Sequence, residues 1–538
     1  YGRDTDKTTV VKITVADGEI TATEVLKGES EGTAYDSALA KAKEKAVYGD
    51  AAHYDAADTT KFAGGSGTKQ DPYQIADADQ LRYLSYSVNA DVDWDNTYFV
   101  QTADIDLSKS EWTPIGRVIY AEINGQGKQY SAYPFKGNYD GGNYKITGMT
   151  VGTKENPADT NVGALFGVTI GDFTGNEEPT TELESGSVHL SNIHVENMSV
   201  NISTVYDTYT GGIVGSGQNG IYIDNCSAEG EINVTTKNSF ARAGGIASNV
   251  LRGAVTNCSA DVDINAVTDA SNVYAGGMFA LTNRATVINC YATGNVTGNS
   301  TNTNKVHIGG LTGQAGGIQI NCYATGNVVS LKPTSDVGGV NGRMGGISVD
   351  YNCYFNSEAK QANGDTVNET AVSSGVAVND ALEVSVGKTK AELASEDFAQ
   401  LLNTNNQSAE TWLNGVIKEH ISANDLVQQI YYNGSKLNEW YLNKGVVGFT
   451  SPSETEKEAE ELINALSGTY QQLFEGALFN EEYEKLWHDY CAVIVGEDNA
   501  DMYAQVMKSS VGGSIYGEAA VEEYTEHPEN TKFFCGFA

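Results

Sequence analysis

Through the middle of the chain, short apolar stretches alternate with Gly, Asn and Thr, and no apolar run falls at helical spacing. That pattern predicts strands rather than helices. The stretches also recur at a fixed interval. Cys226, Cys258, Cys290, Cys322 and Cys353 are separated by 32, 32, 32 and 31 residues. Each is preceded by an asparagine: Asn225, Asn257, Asn289, Asn321 and Asn352. Asn192 extends the series one step earlier, with Ile193 in the cysteine place. Each cysteine also follows a glycine pair, from Gly211-Gly212 to Gly338-Gly339. A repeat of this length leaves no room for a helix in each copy and is too short for a propeller blade. It suits one coil of a parallel β-helix, with three short strands and three turns.

In such a solenoid, equivalent residues stack roughly 4.8 Å apart. The asparagines are then expected to form a ladder, each side-chain amide bonding to the next rung and so satisfying groups that would be costly if buried alone. The cysteines are expected to stack inward as small apolar fillers. A metal site would need ligands clustered at tetrahedral angles, which a straight column does not offer. Disulfides between rungs would need geometry that parallel side chains lack. The glycine pairs mark sharp bends where a side chain would clash or φ must be positive. No Lys-Ser/Thr follows them, so they are not phosphate-cradling loops.

The flanks read differently. Residues 8–15 and 20–26 alternate as strands around a turn at Asp17-Gly18-Glu19, and residues 34–46 read as a helix. Together they predict a small, β-rich α+β unit over residues 1–62. Asp77 is a candidate N-cap for a helix over 78–88, with Leu81, Leu84 and Val88 on one face, placed to plug the open end of the solenoid. The solenoid is expected over 64–450, closing through 357–450. A helix over 388–402 begins at Thr389 or Ser395, and an insertion over 405–435 separates Leu402-Asn403 from Trp440. Ser451-Pro452-Ser453 is a linker. Beyond it, residues 454–538 predict a partial α-containing unit, with helices over 456–466, 481–495 and 500–508 and a break at Gly512-Gly513.

Four further motifs carry a resemblance. They are Asp104-Ile105-Asp106-Leu107, Trp112-Thr113-Pro114-Ile115-Gly116, Phe135-Lys136-Gly137-Asn138-Tyr139-Asp140-Gly141, and the Asn-Cys-Tyr-Ala-Thr-Gly units at 289–294 and 321–326. With them, residues 64–356 resemble the GLUG-repeat proteins of bacterial surfaces, which include regions of immunoglobulin-cleaving peptidases and adhesins. The resemblance implies a right-handed parallel β-helix exported to the cell exterior, and no single activity. The helix followed by Leu-Asn and a later Trp resembles the way such solenoids close. Residues 1–62 resemble the start of the flavin-binding domain of bacterial respiratory and surface proteins. That family attaches flavin through Ser-Gly-Ala-Thr; the nearest segment here is Ser66-Gly67-Thr68, so no flavin is assigned. The segment from Gly468 onward resembles the start of a periplasmic zinc-binding lipocalin-like family, and no ligands are carried over from it.

Charge narrows the partners. Asp and Glu number 70 against 33 Lys and Arg, a net charge of −37. Nucleic acid and anionic membrane are excluded, because both are bound by clustered Lys and Arg. No stretch approaches a membrane-spanning length of about 18 apolar residues. The first residue is Tyr1, with no methionine or signal peptide, so an anchor or export signal is expected outside this stretch.

Catalytic motifs are missing. The seven histidines include no His-Glu-x-x-His, and there is no Gly-x-Ser-x-Gly. His189 and His194 lie five apart, on opposite faces if one strand holds both. Asp91, Asp93 and Asp95 resemble the opening of a calcium loop, although Asn96 and Thr102 stand where an EF-hand needs Gly and Glu. Calcium is the one candidate cofactor. Asp104 and Asp106 share a strand face and are the candidate acid pair of a polysaccharide hydrolase. Cys491 and Cys535 are a candidate disulfide in an oxidising compartment, and His488 beside Cys491 is a weak nucleophile pair. Tyr291, Tyr323 and Tyr354 share a register; they read as an exterior column packing along the solenoid, with sugar stacking as the alternative. The expectation is a secreted or surface-anchored bacterial protein with an adhesion, binding or scaffold role, taking a host or microbial glycan or protein ligand. The alternatives are a carbohydrate-active enzyme on a β-helix and a self-assembling subunit of an extracellular filament.

Overall fold

Along Ser259–Thr268 the even-numbered residues are buried and the odd-numbered ones face outward. A period of two with one face buried is what a strand over a core requires. This strand pairs in parallel with Ser227–Thr236 before it, and with Tyr291–Ala292 and Val296–Ser300 after it. The register is straight: Ile232, Ile264 and Val296 stack, as do Ala228, Ala260 and Ala292. One coil therefore runs Ala247–Thr256, Ser259–Thr268 and Val273–Gly276, and the next begins at Phe279–Ile288. The short third strands form a sheet of six, one for each of about six turns. The chain is thus a parallel β-solenoid, as the repeat predicted.

These features come from a computed structural model that describes residues 2–3, 8–16, 19–47, 57–123, 126–171, 187–301, 305–333, 335–345, 348–364, 366–368, 376–377, 382–423, 436–452, 478 and 483–516. The chain divides into residues 1–451 and 452–538.

The corners explain two residue columns. Asn192, Asn225, Asn257, Asn289, Asn321 and Asn352 all have φ between 51° and 59°. This left-handed conformation is one that Asn tolerates better than most L-residues. A second left-handed column bends the first strand of each coil at Asn219, Arg252 and Arg284. The glycine pairs are not in this region. They are needed for space: a Cβ on Gly245, Gly277 or Gly310 would overlap the carbonyl of the glycine one coil further on and press on Ala260, Ala292 or Ala324. Of the two reasons expected for these glycines, close approach is the one that operates.

Cys226, Cys258, Cys290, Cys322 and Cys353 are free thiols, each at most 1 % exposed within the central core. Burial pushes the Cys226 and Cys258 thiols well above their ordinary pKa. At the first end the core is aromatic. The rings of Phe99 and Phe135 lie 5.9 Å apart and those of Phe135 and Phe166 5.1 Å apart. Helix Ala78–Asn89 plugs this end, burying Leu81, Leu84 and Val88, with the Asp77 carboxylate accepting from Gln80 N at 2.9 Å. Arg82 and Ser85 tie the plug to carbonyls of Ser110, Glu111 and Thr113 at 2.6–2.8 Å.

The closing region folds back along the flank of the solenoid. Strand Leu382–Lys388 extends the last rung. A single turn, Lys390–Leu393, carries a Thr389/Glu392 capping box, and Ser395 caps helix Glu396–Trp412. Both expected starts are therefore used. The insertion continues as helical structure through Lys418–Ala423 and lays Ala409, Leu413, Ile417 and Ile421 over Ile288, Ile318, Ile320 and Val349. The Asn403 side chain brackets Trp440, accepting from its N–H at 2.8 Å and donating to its carbonyl at 2.9 Å.

At the N-terminus, Gly2–Arg3, Val10–Ala16 and Glu19–Lys27 form an antiparallel sheet followed by helix Thr33–Val47. In residues 452–538, helices Glu484–Val495 and Ala500–Tyr516 pack around Cys491, Ala500 and Ala504. The second helix runs through Gly512-Gly513, where a break was expected; glycine costs a helix only about 1 kcal/mol per residue and does not forbid it. The turn at Asp17-Gly18, the helix over 456–466 and Cys535 lie outside the described residues.

Candidate binding site

Two outward columns flank the asparagine corner, and both change character at the same coil. On one side the register runs Asp140, Ser191, Asp224, Thr256, then Ile288, Ile320, Tyr351. On the other it runs Lys145, His194, Ser227, Ser259, then Tyr291, Tyr323, Tyr354. The apolar half of each column is the half that the closing region covers. Tyr291 and Tyr323 stack at 5.2 Å and 3°, and Trp440, Phe449 and Phe398 pack on them at 5.4–5.7 Å. The tyrosines form the exterior packing column and are not an open stripe.

The polar half is not covered in this way. Where Ser227 and Ser259 replace tyrosine, the column loses two large side chains and a cavity of about 540 Å³ opens. Tyr291 and Phe449 stand at one end and His194 at the other; Asn225 and Asn257 line it together with Lys436, Asn438, Glu439 and Tyr441 of the closing region. Its size lies in the range of small-ligand pockets.

The wall is held by amides. Asn225 Nδ2 donates to Asn192 Oδ1 at 2.8 Å, and Asn289 Nδ2 to Asn257 Oδ1 at 2.8 Å. Between these rungs the ladder is interrupted: Asn257 Nδ2 donates to Asp224 Oδ1 at 2.9 Å instead. Asn438, from the closing region, fills the gap. Its side chain donates to Asn225 Oδ1 at 2.9 Å and its N–H to Asn257 Oδ1 at 2.8 Å. Asn321 is held in turn by Asn405 and Asn406. The asparagine column is thus both a corner device and the seam along which the closing region attaches. Sequence reading missed the seam, although the switches from Ser259 to Tyr291 and from Thr256 to Ile288 were visible within the repeat.

At the far end, His194 Nδ1 lies 2.8 Å from Ser227 Oγ and its Nε2 lies 3.3 Å from Asn143 Oδ1. Asn143 Oδ1 also accepts from Asn225 Nδ2 at 3.0 Å, so the His194 Nε2 is the donor and Nδ1 accepts the Ser227 proton. Burial lowers the His194 pKa, with Glu196 opposing and Lys145 assisting, and the ring is neutral near pH 7. A Ser–His–Asn chain of this kind resembles an activated nucleophile. Acyl transfer also needs N–H donors aimed at an oxyanion. Here the Ser227 and Ser259 N–H groups are committed to Ile193 O and Cys226 O at 2.9 and 3.0 Å. The Ser227–His194–Asn143 chain fixes hydrogen-bond polarity.

Other candidates fall elsewhere. Among the described residues no three His, Cys, Asp or Glu side chains converge as a metal site. At the expected calcium residues, Asp91 has φ 70° after the plug helix, and Asp93 Oδ1 accepts from Asp95 N at 3.2 Å. Asp104 Oδ1 accepts from Lys145 N of the next coil at 2.8 Å, and Asp106 Oδ1 accepts from Ser108 N in a local turn at 2.9 Å. His189 and His194 lie on two strands separated by the Asn192 corner. His189 stacks on Tyr222 at 5.0 Å, and burial lowers its pKa to about 4. His488 sits between Asp501 at 2.5 Å and Glu497 at 3.2 Å, which raise its pKa, while Cys491 is buried.

No protein-family model matches the chain. A protein of Evansella cellulosilytica named "Putative Gly-rich membrane protein" is 33% identical over 120 residues, which is 21% of this chain. The chain spans only 11% of that relative's length. Among solved structures, the "Crystal structure of a putative immunoglobulin A1 protease from Bacteroides ovatus" matches with a TM-score of 0.45 and 20% identity, over 72% of this chain and 95% of that one. A likeness of that depth says nothing about activity. Among the described residues no helix is long and apolar enough to cross a membrane.

Proposed function

We propose that this chain is part of a bacterial surface or secreted protein in which the solenoid is a rigid binding scaffold with an adhesive role. The observation that carries this reading is the polar flank holding Ser227 and Ser259, where the closing region leaves a cavity walled by mutually bonded amides. A pre-ordered wall of this kind binds with little ordering cost. The GLUG-type motifs and the name of the glycine-rich relative support a surface location. The acidic pair expected of a hydrolase is taken up in backbone hydrogen bonds, Asp104 between coils and Asp106 in a turn, so a binding role fits better than hydrolysis.

The test has two arms. Antibody raised against the chain should label intact cells of the producing bacterium, and the purified chain should be retained on immobilised mucin. Antigen accessible only after lysis, together with no retention, would remove the reading.

A further inference from the structure

The cavity specifies more than a generic polar ligand. Its floor is one outward column in which Tyr291, Ser259, Ser227 and His194 follow at rung spacing, so the opening from Tyr291 to His194 is about 14 Å, three steps of roughly 4.8 Å. That length matches a short oligosaccharide segment. At one end, Tyr291 and Phe449 present aromatic surface, their centroids 5.4 Å apart at 66°. The Tyr291 hydroxyl, pushed up in pKa by burial, is held against Ser259, and Gly448 leaves room for it.

The polar groups are mostly fixed as acceptors. The Ser227 proton is committed to His194 Nδ1, which turns the serine lone pairs toward the cavity. The Asn225 and Asn257 carbonyl oxygens are already bonded by Asn438, so the acceptors that the floor offers a ligand are the serine oxygens. A ligand rich in hydroxyl donors, with an apolar ring face for the aromatic end, is complementary to this arrangement. A carboxylate or sulfate is not: the fixed serine acceptors repel it, Glu439 offsets Lys436 on the wall, and the chain carries −37 overall.

We infer that the notch between Tyr291 and His194 binds a neutral oligosaccharide, ring face on Tyr291 and hydroxyls on the serine acceptors. This rests on the binding-scaffold reading and names its ligand class.

The full chain is applied to immobilised cellobiose, maltose, chitobiose and N-acetyllactosamine, beside sialyllactose and a heparin disaccharide, and hits are measured by calorimetry. At least one neutral probe binds and the anionic probes do not. Ser259→Tyr continues the existing tyrosine column into the cavity and weakens binding at least about tenfold. Ser227→Tyr fills the opposite half and does the same, so the test survives if one variant misfolds; circular dichroism melts confirm folding. No binding of any neutral probe overturns the inference, as does binding that survives both variants. Retention on mucin without neutral-probe binding overturns it while leaving the scaffold reading intact. Silence on mucin and on every probe removes both.

Discussion

At the scale of single residues, the corner asparagines do three jobs at once, and the order of substitution effects separates them. Asn289 is fully buried, has φ 59°, donates to Asn257 Oδ1 at 2.8 Å and to Asn438 O at 3.0 Å, and accepts from Asn321. Asn289→Gly keeps the left-handed backbone but loses the amide, leaving buried groups unpaired at about 1–3 kcal/mol. Asn289→Ala loses the amide and adds a backbone cost of about 1–2 kcal/mol. Thermal melts should therefore rank wild type above Gly and Gly above Ala. If Ala equalled Gly, the conformation would not be why asparagine stands there. The repeat made the asparagine column legible in sequence, but not its positive φ, because Asn is equally at home in turns of several kinds.

At the scale of the coil, the glycine pair and the alanine two places after Cys226, Cys258, Cys290 or Cys322 are one packing unit. Ala292 Cβ occupies the space that a Gly277 side chain would need, and Gly310 O closes it from the next coil. Gly277→Ala must separate two backbones, and overpacking without a flexible neighbour costs about 3 kcal/mol or more. Denaturant melts of that variant should show a lowered midpoint, with Gly345→Ala, whose Cβ would make only ordinary contacts at 3.6 and 3.7 Å, as the mild comparison. An unchanged midpoint would mean the coils can slide apart freely. The strands, their parallel order and the plug helix were readable because a period of two inside a period of about 32 leaves few alternatives. The seam was not. Asn225 meets Asn438 across 213 residues of sequence, and outward apolar residues such as Ile288 and Ile320 look like ordinary core in a strand. The clue lay in comparing copies rather than averaging them: the copies with Tyr and Ile at the outward positions are the covered ones.

At the scale of the whole molecule, charge opposes compaction. The net charge is −37, and exposed ion pairs such as Lys12–Glu24 and Lys485–Asp489 are worth little. A solenoid holds its acidic residues on fixed outer columns, whereas the unfolded chain can spread them, so repulsion falls mainly on the folded state. At pH 7 and low salt the screening length is about 30 Å, and near 0.5 M it shrinks to a few ångströms. Raising NaCl across that range should then raise the thermal midpoint, read by circular dichroism on the full chain. Chloride should act about as well as other weakly binding anions, because screening and not a bound ion is responsible. A midpoint that falls with salt would show that the exposed pairs outweigh the net repulsion. The same field bears on the notch: it keeps sialylated and sulfated chains away at low salt, so any anionic binding that appears only in high salt would mark the limit of electrostatic exclusion, while neutral-glycan affinity should stay constant throughout.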